Sequence, residues 1–250
     1  MKGNKFEQDY KALIRRVIHN GADTKNRTNV DTVTKFGEQL TIDLTKGFPI
    51  VTGKKIFFDK ALHEYFWMQD GGTTIAYLNK HDIHWWNEFA DAFGYLGKTY
   101  GYQIRNFNGE EDQMAYVYNE IANNSRRACV SLWNPSELKE TKLPPCFTFM
   151  NYVRVNDVLN LSVTFRSSDV FLGLPYDVIV LSLFLINTAK FCDLKVGELK
   201  LNLDNAHIYR NHTKQLFKYL DSPIYSLPEL EDGKLIDYIH GPFIAAKMNN

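Results

Sequence analysis

The order of apolar periodicities along this chain predicts an α+β layer architecture, a large mixed sheet flanked by helices. Helix-like and strand-like segments mix without the strict alternation that marks a doubly wound parallel sheet. Two strand-like runs, Phe147 to Val155 and Val158 to Phe165, flank the turn Asn156-Asp157 and read as a hairpin. Val178 to Phe191 is apolar almost all round, as a helix buried inside a core must be. No internal repeat, low-complexity tract or Gly/Ser/Pro linker divides the sequence, so residues 1–250 are expected to form a single domain.

From the N-terminus, Phe6, Tyr10, Leu13, Ile14 and Val17 recur at helical spacing and Asn20-Gly21 supplies a stop, which predicts a helix over Phe6 to Ile18. Asn26-Arg27-Thr28-Asn29 is turn-like. The apolar series Val33, Phe36, Leu40, Ile42 and Leu44 then reads as one or two strands ended by the turn at Lys46-Gly47. Phe58 to Met68 and Glu111 to Ile121 read as helices, Arg127 to Trp133 as a buried strand and Gly197 to Tyr209 as a late strand. The hairpin places Cys146 and Arg166 near one sheet edge.

Composition narrows the function classes. Lys+Arg and Asp+Glu both number 29, for a formal net charge of zero, so the field that drives non-specific nucleic-acid or acidic-membrane binding is absent. Any anion site must be local. The stretch from Met1 to Ile18 has no apolar core of signal-peptide length, and no segment approaches the roughly 18 uninterrupted apolar residues of a membrane span. A cytoplasmic location without membrane or nucleic-acid partners is expected. Three scattered cysteines, Cys129, Cys146 and Cys192, fit a reducing compartment and no zinc site.

Chemistry concentrates in Leu143-Pro-Pro-Cys-Phe147 and in Arg166-Ser-Ser-Asp-Val-Phe-Leu-Gly-Leu-Pro-Tyr-Asp177. A cysteine by itself is more often a small buried hydrophobe. Two prolines that fix its backbone, with a permanent cation close in sequence, point instead to a nucleophile aimed at a phosphorylated small molecule, Arg166 both holding the anion and favouring the thiolate. Arg126-Arg127 opens a predicted strand, where paired cations more often bind something than decorate a turn; Arg27 alone is uninformative. His207 and Tyr209 share a strand face with Asn205, which suits hydroxyl recognition or a satisfied core network. His81 and His84 lack the further ligands of a metal set, and no metal is expected. The block from His84 to Phe89 reads as core.

Taken together, LPPC, RSSDVFLGLPYD, SRR at Ser125 to Arg127, NAHIYRNH at Asn205 to His212, KNRT at Lys25 to Thr28, GFPIVTGKK at Gly47 to Lys55 and HEYFW at His63 to Trp67 resemble the thymidylate synthase superfamily, in its order and over nearly the whole chain. The resemblance implies a homodimer packed through its large sheets, a pyrimidine nucleoside 5'-monophosphate substrate and 5,10-methylenetetrahydrofolate as one-carbon donor. By position, Cys146 matches the nucleophile that adds to C6 of the base, Glu64 the carboxylate that organises water and protons, and Tyr100 the group that removes the C5 proton. Arg27, Arg166 and Ser167 match phosphate ligands, with Arg126 and Arg127 reaching in from the other subunit. His207 and Tyr209 match contacts to the sugar 3'-hydroxyl. Trp86 lies beside the reacting methylene; Asp169, Leu172 and Gly173 match the pterin-side wall, and Lys54 a folate-tail contact. In the scheme so implied, thiolate addition at C6 makes C5 nucleophilic, and loss of the C5 proton leaves an exocyclic methylene. That methylene takes a hydride to give methyl or water to give hydroxymethyl.

Departures from the synthase pattern select among these outcomes. Asp177 stands where synthases carry an asparagine; a carboxylate cannot donate to uracil O4 but can accept from a cytosine amine and favour a proton on N3. Aspartate here resembles the deoxycytidylate hydroxymethylases, an activity that prepares modified cytosine for phage DNA; the other reading is a drift from asparagine to an aspartate that keeps its proton. Phe147 replaces a histidine, Trp85 a smaller aliphatic and Asn205 an aspartate, while the C-terminus from Ala246 to Asn250 is polar where synthases close with an apolar tail. A leakier lid favours water capture, so dCMP hydroxymethylation is the expectation, with synthase-type methylation of dUMP or dCMP, or hydroxymethylation of dUMP, as the alternative.

Overall fold

The computed structural model describes residues 4–249. Helix α1 (Lys5–Asn20) is capped by the Asn4 side chain, which accepts from the Glu7 N–H, and it buries Phe6, Tyr10, Leu13, Ile14 and Val17 as the periodicity requires. The short β1 (Ala22–Thr24) pairs antiparallel with β2 (Thr32–Asp43), and β2 in turn pairs with the long β7 (Lys195–Tyr209). The segment from Val33 to Ile42 is therefore one strand, bent at Gly37, where φ is +73°. Helices α2 (Phe58–Gln69), α3 (Ala76–Lys80), α4 (Tyr100–Arg105) and α5 (Gln113–Ala122) precede β3 (Cys129–Ser131).

The hairpin β4 (Phe147–Val155) and β5 (Val158–Phe165) turns at Asn156, whose φ of +55° is one that asparagine tolerates. After β6 (Ser168–Asp169), helix α6 (Leu174–Phe191) crosses over so that β7 runs parallel to β5. Helix α7 (Thr213–Leu220) and the small hairpin β8 (Glu229–Glu231) and β9 (Lys234–Ile236) complete the chain. The main sheet has the order β1-β2-β7-β5-β4-β3, with β6 also on β7, so the expected mixed sheet is present.

One expectation changes in this topology. β3 occupies the margin beside β4, so the strands next to Cys146 and Arg166 lie inside the sheet and these residues sit at the strands' ends, not at a lateral edge. Arg166 N–H donates to the Cys146 carbonyl at 3.0 Å, and β4 is irregular between Phe147 and Phe149. Such a bulge re-aims the residues beside it.

Helix α6 is long and apolar enough to cross a membrane by length and composition, yet 67% of it is buried inside the fold, packed against α2 and β7. Buried apolar side chains from Phe6 to Ile244 form one contiguous cluster between the helices and one face of the sheet. The opposite face is open and carries Phe149, Val153 and Val155 among polar residues.

Candidate active site

Proline has no N–H, but its carbonyl still accepts, and the Pro144-Pro145 pair presents two carbonyls on one side of Cys146. Arg166 takes both: Nη2 donates to Pro144 O at 2.7 Å and Nε to Pro145 O at 2.8 Å, with the guanidinium 5.5 Å from the Trp133 ring centroid. Arg166 and the nucleophile are thus locked to each other through backbone. The expected effect of Arg166 on the thiol has the right sign and loses to burial. Desolvation, followed by the Asp177 charge, raises the Cys146 pKa, while Arg166, Tyr100 and Arg27 pull it down. In the free site the thiol is held protonated.

Tyr100 opens α4, and its hydroxyl accepts from the Cys146 N–H at 2.6 Å. Its ring packs on Phe147, centroids 4.5 Å apart, and edge-on to Trp86 at 6.0 Å. Phe147, fully buried, therefore sets an apolar wall behind Tyr100. Glu64, on α2, is buried and receives two indole N–H bonds on one oxygen: Trp86 at 2.5 Å and Trp85 at 3.1 Å, both to Oε1. Burial raises the Glu64 pKa despite these bonds, so the carboxyl holds a proton more readily than in water. Trp85 is thus a donor to the carboxylate as well as part of the aromatic block, a role its sequence context does not signal.

Asp177 lies in the first turn of α6, where its N–H reaches the Gly173 carbonyl at 3.1 Å. Desolvation, then the charges of Glu64 and Asp169, push its carboxyl well above the usual range. A neutral carboxyl offers one donor and one acceptor where an ion offers acceptors only. Asp169 Oδ1 accepts from the N–H groups of Phe171 at 2.9 Å and Leu172 at 3.1 Å, shaping the segment that runs through Gly173 into α6. Its Oδ2 accepts no hydrogen bond among the described residues and suits a ring N–H donor.

Asn205, His207 and Tyr209 share one face of β7. His207 Nδ1 lies 3.0 Å from Asn205 Oδ1 and 3.5 Å from Ser167 Oγ, and burial lowers its pKa, which favours the neutral ring. Arg27, Arg126 and Arg127 are exposed, and their guanidinium groups have no hydrogen-bond or ion-pair partner among the described residues. Lys54 is placed differently from its neighbours in the sequence pattern. It is only 4% exposed, and its Nζ donates to the Phe171 carbonyl at 2.8 Å, pointing into the protein. His84 bonds Asn79 and Asp82, and His81 stacks on His63; no group of three or more His, Cys, Asp or Glu side chains able to hold a metal occurs among the described residues.

Cys146 N–H donates to Tyr100, the Asp177 charge acts on both residues, Glu64 and Asp169 act on Asp177, and Asp169 acts on His207 beside Ser167, so these residues form one electrostatically linked group. The family model described as "Thymidylate synthase" matches residues 8–248, a span that contains every residue of this group. A protein of Buchnera aphidicola subsp. Baizongia pistaciae (strain Bp) named "Thymidylate synthase" is 36% identical over 261 residues, covering 96% of this chain and 99% of that protein. The linked residues, the fold that builds them and both comparisons agree: the chain belongs to the thymidylate synthase family of folate-dependent enzymes that transfer a one-carbon unit to a pyrimidine nucleotide.

Proposed function

We propose that this enzyme transfers its one-carbon unit to C5 of a pyrimidine deoxynucleoside monophosphate, that the base is cytosine, and that dCMP leaves as 5-hydroxymethyl-dCMP. The observation that carries the choice of base is Asp177, a buried carboxyl in the first turn of α6 at the position where the family's synthases carry an asparagine, with a pKa raised by burial and by the charges of Glu64 and Asp169. As a neutral acid it donates to cytosine N3 while its carbonyl oxygen accepts from the N4 amine. If the proton moves to N3, the resulting carboxylate still accepts from both groups, and the protonated base becomes a better acceptor for a thiolate at C6. Uracil offers no such exchange, because N3 already carries a proton and O4 is a weak base.

The roles of the other residues follow from their surroundings. Cys146 supplies the nucleophile once substrate and Arg166 offset the desolvation that holds it as a thiol. Tyr100, hydrogen-bonded to the Cys146 backbone, and Glu64, fixed by two indoles, move protons at C5 and the ring heteroatoms. Arg27, Arg166 and Ser167 hold the phosphate, with Arg126 and Arg127 offered to a second copy's site, and His207 and Tyr209 hold the sugar hydroxyl. The open sheet face with Phe149, Val153 and Val155 supports a homodimer packed sheet to sheet. A single catalytic domain fits the one contiguous core.

The residues present fit 5,10-methylenetetrahydrofolate: the free Asp169 Oδ2, Leu172, Gly173 and the Trp86 indole would hold the pterin. Once bound, it supplies the one-carbon unit and, on the methylating branch, a hydride. That branch is the second reading. The relative named thymidylate synthase supports methyl transfer better than hydroxymethylation. Residues at the lid support water capture: the described tail is tied by polar contacts, Lys247 O to His212 Nε2 at 2.7 Å and Asn249 Oδ1 to Asn211 Nδ2 at 2.8 Å, and its last buried apolar side chain is Ile244. Asn250 lies outside the described residues.

Incubation of the protein with methylenetetrahydrofolate and dCMP or dUMP, with mass analysis of the nucleotide and absorbance of dihydrofolate, separates the readings. Hydroxymethyl-dCMP without dihydrofolate is expected; dTMP with stoichiometric dihydrofolate would establish the thymidylate reading instead.

A further inference from the structure

The Asp169–Gly173 segment is gripped from below at consecutive carbonyls by two buried donors from distant parts of the chain. Tyr10, on α1 and 1% exposed, donates its hydroxyl to Val170 O at 2.6 Å. Lys54 donates to Phe171 O at 2.8 Å, with Nζ also 3.9 Å from the Phe171 ring centroid. Above them, the Asp169 side chain satisfies the next two N–H groups, and Val170 N–H bonds the His207 carbonyl at 2.9 Å. The strip therefore has its backbone groups held on both sides.

We propose that Tyr10 and Lys54, the latter turned inward to Phe171 instead of making the folate-tail contact its position implies, are positioning residues which set the height and tilt of the Asp169–Gly173 wall, and through it folate affinity, without touching the folate. The inference rests on reading that wall as the pterin side of the site. A buried ammonium with no carboxylate within ion-pair distance among the described residues calls for an explanation. A rigid acceptor and an aromatic face are the partners it has. The support extends one layer further. Buried Glu7 accepts from Thr52 N–H and Gly53 N–H, both at 2.8 Å, and from the Tyr219 hydroxyl at 2.8 Å, which fixes the backbone that presents Lys54. The groups facing the Lys54 ammonium are the Phe171 carbonyl and ring, the Tyr219 ring 5.5 Å away, and the charges of Asp169 and Glu7. Desolvation outweighs those two charges and lowers its pKa to about 8, so the grip is full below that pH and loosens as pH rises through it.

The test is Tyr10→Phe, which removes one hydroxyl, and Lys54→Met, which keeps the stem and removes the donor. KM for methylenetetrahydrofolate and Kd for the nucleotide alone are measured across pH 6.5–9.5, with the thermal midpoint as a fold control. Each folded variant should raise folate KM about ten-fold while nucleotide Kd stays within about two-fold. Wild-type folate KM should rise as pH passes through the Lys54 titration, and Lys54→Met should abolish that rise. Unchanged folate KM in folded Tyr10→Phe overturns the proposal, even if Lys54→Met fails to fold. Equal losses of folate and nucleotide affinity also overturn it, by indicating general loosening. A wild-type protein that consumes dCMP or dUMP without folate would remove the folate reading itself, a result distinct from either.

Discussion

The carboxyls and the arginines of the candidate site meet opposite electrostatic conditions. At the base end, Glu64 and Asp177 are buried carboxyls with raised pKa values, Glu64 bonded by Trp85 and Trp86 and Asp177 raised further by the charges of Glu64 and Asp169. Among the arginines proposed to hold phosphate, Arg27, Arg126 and Arg127 are exposed to water, the last two toward a second copy's site as proposed, and Arg166 is fixed by two proline carbonyls. Enclosure converts carboxylates into proton carriers, whereas water access keeps guanidinium groups charged and free to close on an anion. The same chain thus sets the state of its ionisable groups by controlling where water reaches.

Removing Cys146 should have the largest effect. Cys146→Ser should lower turnover about a thousand-fold or more while nucleotide still binds, as a binding isotherm beside single-turnover kinetics would show. Retained turnover would sink the covalent scheme. Next, Arg166→Lys should weaken nucleotide binding about a hundred-fold, since lysine cannot span both proline carbonyls and still face a phosphate. Arg127→Ala, exposed and unanchored, should cost about ten-fold and do so mainly at low salt. Comparable losses for the two arginines would erase the contrast between the fixed and the free cation.

A third experiment probes the base end. Asp177→Asn should move the ratio of kcat/KM values for dCMP over dUMP toward dUMP by about ten- to a hundred-fold. In the unsubstituted enzyme both complexes hold one proton between Asp177 and the base, on the carboxyl for dUMP and on the carboxyl or N3 for dCMP. Raising pH through the Asp177 titration should therefore lower kcat/KM for both nucleotides together, and a pH-independent kcat/KM for dCMP would contradict the role of the proton.

The smallest effect concerns stability. A carboxyl whose folded pKa lies above its unfolded value destabilises the fold as pH rises from the ordinary carboxylate range toward the folded pKa. Asp177→Asn removes that penalty. Its Tm should exceed that of the unsubstituted chain at pH 7, with a smaller gap at pH 5; the reverse order by calorimetry would mean that the carboxyl is ionised and paired in the native state.

Much of the frame was legible from local patterns. The hairpin Phe147–Val155 and Val158–Phe165 has the boundaries its alternation and Asn-Asp turn predict, and α1, α2, α5 and β7 differ from expectation mainly at their ends. The predicted strand Arg127 to Trp133 narrows to Cys129–Ser131, because only those residues find partners on β4. β1, α3, α4, β6, α7, β8 and β9 lie outside the sequence expectations, and each is short: α4 has six residues, including Gly101, and α7 eight, too few for a period to stand out.

By itself the sequence determined which atoms are available: a cysteine after two prolines, an aspartate in place of an amide, five candidate phosphate ligands and a strand face bearing His207 and Tyr209. These are matters of residue identity and short-range periodicity. Only the tertiary structure decided their states and partners. Arg166 binds the proline carbonyls, Lys54 turns inward to Phe171, and burial raises the pKa values of Cys146, Glu64 and Asp177. Desolvation and charge coupling act through space between residues as far apart as Glu64 and Asp177 in the chain, so no local pattern encodes them.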